Sequence, residues 1–343
     1  MKALVLEDIG KISLKEVDTP IPGRGEVLVR IHACGICSSD KARIFKNGTY
    51  HFPTIPGHEI AGEIVGLGPG SRDELLGKKV AVFPLLPCRQ CEPCRQGRYA
   101  QCEHYDYFGS RRDGGFAEYL AVPVFNINIL PDDMDYHTAA LCEPATVASH
   151  ALKRAKMKQG DVVTIIGTGT IALLAACIAR IRGASKIIIV GHTKEKVMNA
   201  SHVANHVINA TGWDVEEAVA QLTEGDMSDV VLEMAGNSLA CNYALAAAGK
   251  GSNIVFTGNP EETVSFDKKI FWKILRNELS IHGTWNSGYA PGNNDWNDVI
   301  RYMQEGEIPA DEIVTHSFKL EDYSKAFELL MSDRFYTKIM FDI

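Results

Sequence analysis

Hydrophobic and polar positions follow two different rhythms along this chain. Up to about residue 130, short runs alternate in character, as in Met1-Lys2-Ala3-Leu4-Val5-Leu6-Glu7-Asp8, Val27-Leu28-Val29-Arg30-Ile31 and Glu63-Ile64-Val65. Gly and Pro are frequent between them. Alternation with closely spaced turn residues predicts a compact, mostly antiparallel β domain. From about residue 145 the apolar runs become continuous. Val162-Val163-Thr164-Ile165-Ile166, Lys186 to Val190, Asp229 to Glu233, Asn253 to Thr257 and Leu279 to His282 read as buried strands. Leu173 to Arg182 has a helical apolar pattern, and helix-like segments separate the other strands. Buried strands alternating with helices predict a parallel, doubly wound sheet. After about residue 285 the alternation fades until Lys338-Ile339-Met340-Phe341, a strand predicted to return to the first domain. The expected division is 1–147, 148–285 and 286–343, the last rejoining the first.

Composition narrows the class. A chain of 343 residues, 45% hydrophobic and 23% charged, is long enough for about two globular domains. Its net charge of -8, with no run of five like charges, argues against a nucleic-acid surface. The N-terminus turns acidic where a signal peptide would stay apolar. The apolar stretch Val162 to Ala179 is broken by Gly167-Thr168-Gly169-Thr170, which argues against a bilayer span. The nine cysteines are spaced for metal rather than for disulfides, so a cytoplasmic protein is expected.

The candidate chemistry gathers at three places. Cys37-Ser38-Ser39-Asp40 follows one strand, and Gly57-His58-Glu59-Ile60-Ala61-Gly62 opens another. Cys37, His58 and Glu59 offer a thiolate, an imidazole and a carboxylate to one zinc ion. Three protein ligands would leave it a position for water or substrate, the mark of a catalytic site. Cys88, Cys91, Cys94 and Cys102 form C-x2-C-x2-C-x7-C, which suits a closed structural zinc. An iron–sulfur cluster uses the same ligands, and a zinc ribbon for nucleic acid is a third reading that the acidic balance disfavours. Finally, Gly167-Thr168-Gly169-Thr170-Ile171-Ala172 is a G-x-G-x-x-A turn between a strand and a helix. Gly167 permits the tight turn, Gly169 lets a pyrophosphate approach, and Ile171 and Ala172 start the helix whose N-terminus meets the anion. The next strand ends Gly191-His192-Thr193-Lys194-Glu195-Lys196, without the acid that would hold a ribose 2′-hydroxyl. Gly191 leaves room there, and His192, Thr193 and Lys194 or Lys196 can donate to a 2′-phosphate. NADP(H) is therefore expected over NAD(H).

These motifs occur in one order with Gly114-Gly115-Phe116-Ala117-Glu118-Tyr119 and Cys142-Glu143-Pro144. Together they make the whole chain resemble the zinc-dependent medium-chain alcohol and polyol dehydrogenases. The resemblance implies a GroES-like, mostly β catalytic domain and a Rossmann cofactor domain, with two zinc ions per chain. It implies that Glu143 joins or exchanges with Glu59 at the zinc of Cys37 and His58. Ser39 would begin a proton relay, whose usual histidine is replaced by Ala42. Arg43 to Gly48, Pro84 to Cys88 and Gly109 to Gly115 resemble segments of the polyol branch. That likeness offers Lys46, Arg111 and Arg112 to a substrate phosphate. The implied reaction is oxidation of a secondary hydroxyl in a sugar-alcohol phosphate of the galactitol-1-phosphate type. A free polyol, a pentitol phosphate or a non-catalytic cofactor-binding role are the alternatives. A homodimer or homotetramer is the implied assembly.

Overall fold

The computed structural model describes residues 1–343. Contacts divide the chain into two compact units, Met1–Glu143 with Gly288–Ile343, and Pro144–Ser287. The fold class expected from the two rhythms is what the chain adopts.

The first unit is organised around the strand Glu26–Ile36. Its neighbours are Glu59–Leu67 and Lys338–Asp342, both antiparallel, with Tyr119–Pro123 paired to its first half. The sheet continues through Lys79–Val82 to Ile127–Ile129 on one side and ends at Val314–Lys319 on the other. Val27, Val29 and Ile31 alternate into a core shared with Ile60, Ile64, Phe116 and Phe341. Each such side chain contributes about 1.5–3 kcal/mol by leaving water. Strand register decides which polar side chains meet at the end of this sheet. Gly35 lies opposite Glu59 on one neighbour and Met340 on the other, which brings Cys37, Glu59 and Lys338 to one corner.

The Gly-Gly turn has a packing explanation. Gly57 is at φ +92, where a side chain is strained, and a Cβ on Gly114 would sit 2.0 Å from its carbonyl oxygen. Hydrogen bonds from Gly114 N to Ile55 O and from Gly115 N to Gly57 O lock the two segments together. The motif thus clamps the backbone just before His58.

The second unit is a six-stranded parallel sheet in the order His206–Asn209, Lys186–Gly191, Val162–Ile166, Ser228–Glu233, Ala248–Phe256, Ser280–Gly283. Its first strand is not apparent from the sequence because only Ile208 in it is buried. The helix Thr170–Ile181 buries eight consecutive residues, Ala172 to Ala179, which explains its nearly unbroken apolar composition. No helix is long and apolar enough to cross a membrane.

Candidate active site

Strand ends carry the first site. Cys37 follows the long strand and begins the short helix Ser38–Ala42; His58 precedes the strand that starts at Glu59. The ligand atoms of Cys37, His58 and Glu59 all lie within 4.8 Å of one another. Glu143 is the second residue of the helix Cys142–Arg154 and is buried with them. A thiol, an imidazole and two carboxylates packed together make a poor core and a good metal cage. The donor set therefore fits zinc.

Two residues that the sequence did not single out complete the electrostatics. Asp40 is fully buried, with Oδ1 3.3 Å from His58 Nδ1 and Oδ2 accepting the Cys37 N–H at 3.0 Å. Neither Asp40 Oδ1 nor His58 Nδ1 makes a hydrogen bond of good geometry, so the pair interacts chiefly as charges. Burial opposes a charge on His58, but Asp40 outweighs it and raises the imidazole well above its ordinary range. A carboxylate behind one ring nitrogen leaves the other for a metal and fixes the ring plane. Lys338, on the last strand, is the second. Its ammonium lies 2.7 Å from both Glu59 oxygens and 3.1 Å from Ile36 O, and is buried. A Cβ on Gly35 would meet Glu59 Oε2 at 1.9 Å, so only glycine leaves space for this carboxylate.

The two carboxylates are therefore not equivalent. Glu59 is neutralised by Lys338, whereas burial, with Glu59 nearby, pushes Glu143 up to about 7 against the pull of His58 and Lys338. Ser39 accepts a hydrogen bond from Arg43 Nη1 at 3.1 Å.

At the second site the four sulfurs of Cys88, Cys91, Cys94 and Cys102 also lie within 4.8 Å of one another. Cys88 Sγ is 4.0 Å from Cys94 Sγ, and Cys91 Sγ is 3.8 Å from Cys102 Sγ. Tetrahedral Zn–S bonds of about 2.3 Å require sulfurs about 3.8 Å apart, so the donors fit. Backbone N–H groups of Gln90 and Cys91 hold the Cys88 thiol down at about 6, nearly ready as a thiolate.

In the second unit, Gly167 has φ +130 and its N–H donates to Val190 O at 2.8 Å. A Cβ on Gly169 would meet nothing within 4 Å, leaving the approach to the helix N-terminus open. Ala172 is buried where the helix meets the sheet. Gly191 behaves differently from expectation: its Cβ would strike Thr168 Cγ2 at 2.5 Å, so packing against the turn requires glycine there. His192 and Thr193 are exposed, Lys196 half-buried. The His192 ring stacks near Tyr243, with centroids 5.7 Å apart.

The three residues offered to a phosphate diverge. The Arg111 guanidinium is sandwiched between Tyr50 and Tyr105, 3.9 and 4.5 Å from their ring centres. Arg112 pairs with Asp106 at 3.5 Å and lies over Phe108. Lys46 is exposed on the π-helical turn Arg43–Asn47.

A family model described as alcohol dehydrogenase GroES-like domain matches residues 23–132, and one described as zinc-binding dehydrogenase matches 170–305. The chain is 35% identical over 329 residues to galactitol 1-phosphate 5-dehydrogenase of Escherichia coli (strain K12), covering 95% of each. The crystal structure of galactitol-1-phosphate dehydrogenase from Escherichia coli matches with TM-score 0.95 and 34% identity over all of both chains. Identity is 33% to L-galactonate-5-dehydrogenase of Escherichia coli (strain K12), over 96% of this chain and 94% of that one. It is 32% to sorbitol dehydrogenase of Bacillus subtilis (strain 168), over 96% and 93%.

Proposed function

Since the chain belongs to the zinc-type medium-chain alcohol dehydrogenases, which are NAD(P)-dependent oxidoreductases, we propose that it oxidises a secondary hydroxyl of a polyol bearing an anionic end group. A sugar-alcohol phosphate of the galactitol-1-phosphate type is the preferred substrate. The observation that carries the chemistry is the convergence of Cys37, His58, Glu59 and Glu143, with Asp40 behind the histidine.

In this reading Cys37, His58 and Glu143 hold the catalytic zinc, and Lys338 keeps Glu59 in reserve. The cysteines 88, 91, 94 and 102 hold a second, structural zinc. Bound zinc would lower the pKa of the substrate hydroxyl, and bound nicotinamide would accept the hydride. Ser39 Oγ accepts the hydroxyl proton. One of its lone pairs already receives Arg43 Nη1, which leaves the other for the substrate proton while its own hydrogen is passed on. With Ala42 in place of a relay histidine, water or ribose hydroxyls take the proton onward.

Gly167, Gly169, Ile171 and Ala172 bind the cofactor pyrophosphate. The exposed His192 and Thr193, with Lys196, favour NADP(H). For the phosphate of the substrate, Lys46, Arg111 and Arg112 are the candidates. The similarity to a sorbitol dehydrogenase supports a free polyol as the second reading. Steady-state kinetics with galactitol 1-phosphate, L-galactonate, galactitol and sorbitol, each with NAD and NADP, test both substrate and cofactor. Equal kcat/KM for charged and uncharged polyols removes the anionic end group from the proposal.

A homodimer is proposed as well, or a tetramer built from it. The edge strand Ser280–Gly283 and the helix Lys268–Arg276, which buries no residue, expose Phe271, Trp272, Leu275 and Ile281. A second copy would cover that edge. All nine cysteines are unpaired, which suits the cytoplasm.

A further inference from the structure

One cation beside the first site has no assigned role. Arg43 follows the helix Ser38–Ala42 and opens a π-helical turn, a geometry often found where function distorts a helix. Its side chain is 26% exposed. Its single hydrogen bond to protein runs from Nη1 to the neutral hydroxyl of Ser39, 3.1 Å away. Asp40 Oδ1 is 3.7 Å from the same nitrogen, too far for a hydrogen bond. That carboxylate already receives the Cys37 N–H and faces His58. Arg43 thus meets Asp40 only as an opposite charge, through Nη1. Tyr107 closes the other side: the guanidinium carbon is 5.9 Å from its ring centre, and the His58 ring is 5.6 Å from it.

A guanidinium presents five N–H donors in a planar fork suited to an oxyanion. Here Nε and Nη2 have no protein acceptor, and Nη1 donates to the atom that would take the substrate proton. Arg111 is farther along the same aromatic wall, reached through Tyr105 and Tyr107.

We propose that Arg43 recognises the anionic end group of the substrate, a phosphate or a carboxylate, and is a specificity-determining residue. The inference rests on the reading of the substrate as an anionic polyol. A polyol that folds back from its reacting hydroxyl brings its terminal oxyanion to Nε and Nη2 while Nη1 stays on Ser39. The same side chain then couples selection of the charged end to orientation of the proton acceptor.

The test compares zinc-loaded wild type with Arg43→Gln and Arg43→Lys. kcat/KM is measured for galactitol 1-phosphate, L-galactonate and galactitol, and binding of inorganic phosphate is followed by calorimetry without turnover. Zinc content and melting temperature check that each variant is folded. Both variants lose some activity on every substrate because Ser39 loses its partner. Arg43→Gln is expected to lose roughly 10- to 100-fold more on the anionic substrates than on galactitol, and to weaken phosphate binding by about as much. Arg43→Lys should fall between, keeping the charge but not the fork. A larger effect with the phosphate ester than with galactonate identifies phosphate as the group read, and the reverse identifies carboxylate. Equal losses on all three substrates, with phosphate binding intact, would overturn the role of Arg43 while leaving the anionic reading standing. A wild type that does not distinguish galactitol 1-phosphate and galactonate from galactitol would sink that reading, and this inference with it.

Discussion

The buried pair Glu59–Lys338 decides how the metal corner works at the residue scale. Two opposite charges under 5% exposed, with both carboxylate oxygens engaged, cannot be separated cheaply. Removing one partner strands a buried charge at a cost of about 3–5 kcal/mol, whereas replacing both by apolar groups is close to neutral. Lys338→Met should therefore lower unfolding free energy in denaturant by that amount, and the double variant Lys338→Met/Glu59→Met should recover most of it. A single variant as stable as wild type would mean that the pair carries no such burden. Glu233 offers a separate check. Its Oε1 accepts from Ala235 N and Gly236 N at 2.7 Å, while Oε2 is buried without a partner. Burial raises this carboxyl above its ordinary range, against the pull of those N–H groups. The folded state then holds its proton longer than the unfolded chain does. Stability falls as pH rises from the ordinary carboxylate value through the folded one. In Glu233→Gln that component vanishes, so the difference in melting temperature between the two proteins should change across this window. A flat difference refutes it.

At the element scale, the proposed second zinc would substitute for a core. The buried cluster of the lobe from Cys88 to Cys102 consists of its own cysteines with Tyr99 and Tyr105, and Tyr99 meets Phe125 edge-on outside it. On the proposed reading a bound ion would repay much of the cost of ordering the loop. Cys91→Ser should lower the zinc content by one per chain and open the lobe to protease, and unchanged zinc content would show that Cys91 holds no metal. The cap of the short helix Tyr136–Ala140 is of the ordinary kind: Asp135 accepts from Thr138 N at 2.9 Å. Asp135→Ala should cost about 1 kcal/mol, measured by denaturant unfolding. Both the alternating strands and the Gly-x-Gly turn are legible in the sequence, because each is dictated by local periodicity and by backbone conformations that few residues adopt. The strand His206–Asn209 is not, since an edge strand with one buried residue has almost no pattern to show.

For the whole molecule, assembly is the property most open to test. Leu275→Asp with Ile281→Lys places charges on the exposed edge and should convert the proposed dimer to monomer, read by sedimentation. An unchanged mass would move the interface elsewhere. What the amino-acid order determined alone was each ligand group taken locally: four cysteines within one loop, His58 beside Glu59, Cys37 two residues before Ser39. Hydrophobic period and spacing suffice for these because the partners are sequence neighbours. Which groups meet across distance was decided by the tertiary structure. Lys338 lies 279 residues from the carboxylate it neutralises, and only the antiparallel register of the last strand against Glu26–Ile36 delivers it there. The same holds for Glu143, brought beside His58 and Glu59, and for Arg111, held between Tyr50 and Tyr105. A charge announces its presence in the sequence, but its partner is chosen by the packing of strands that periodicity cannot order.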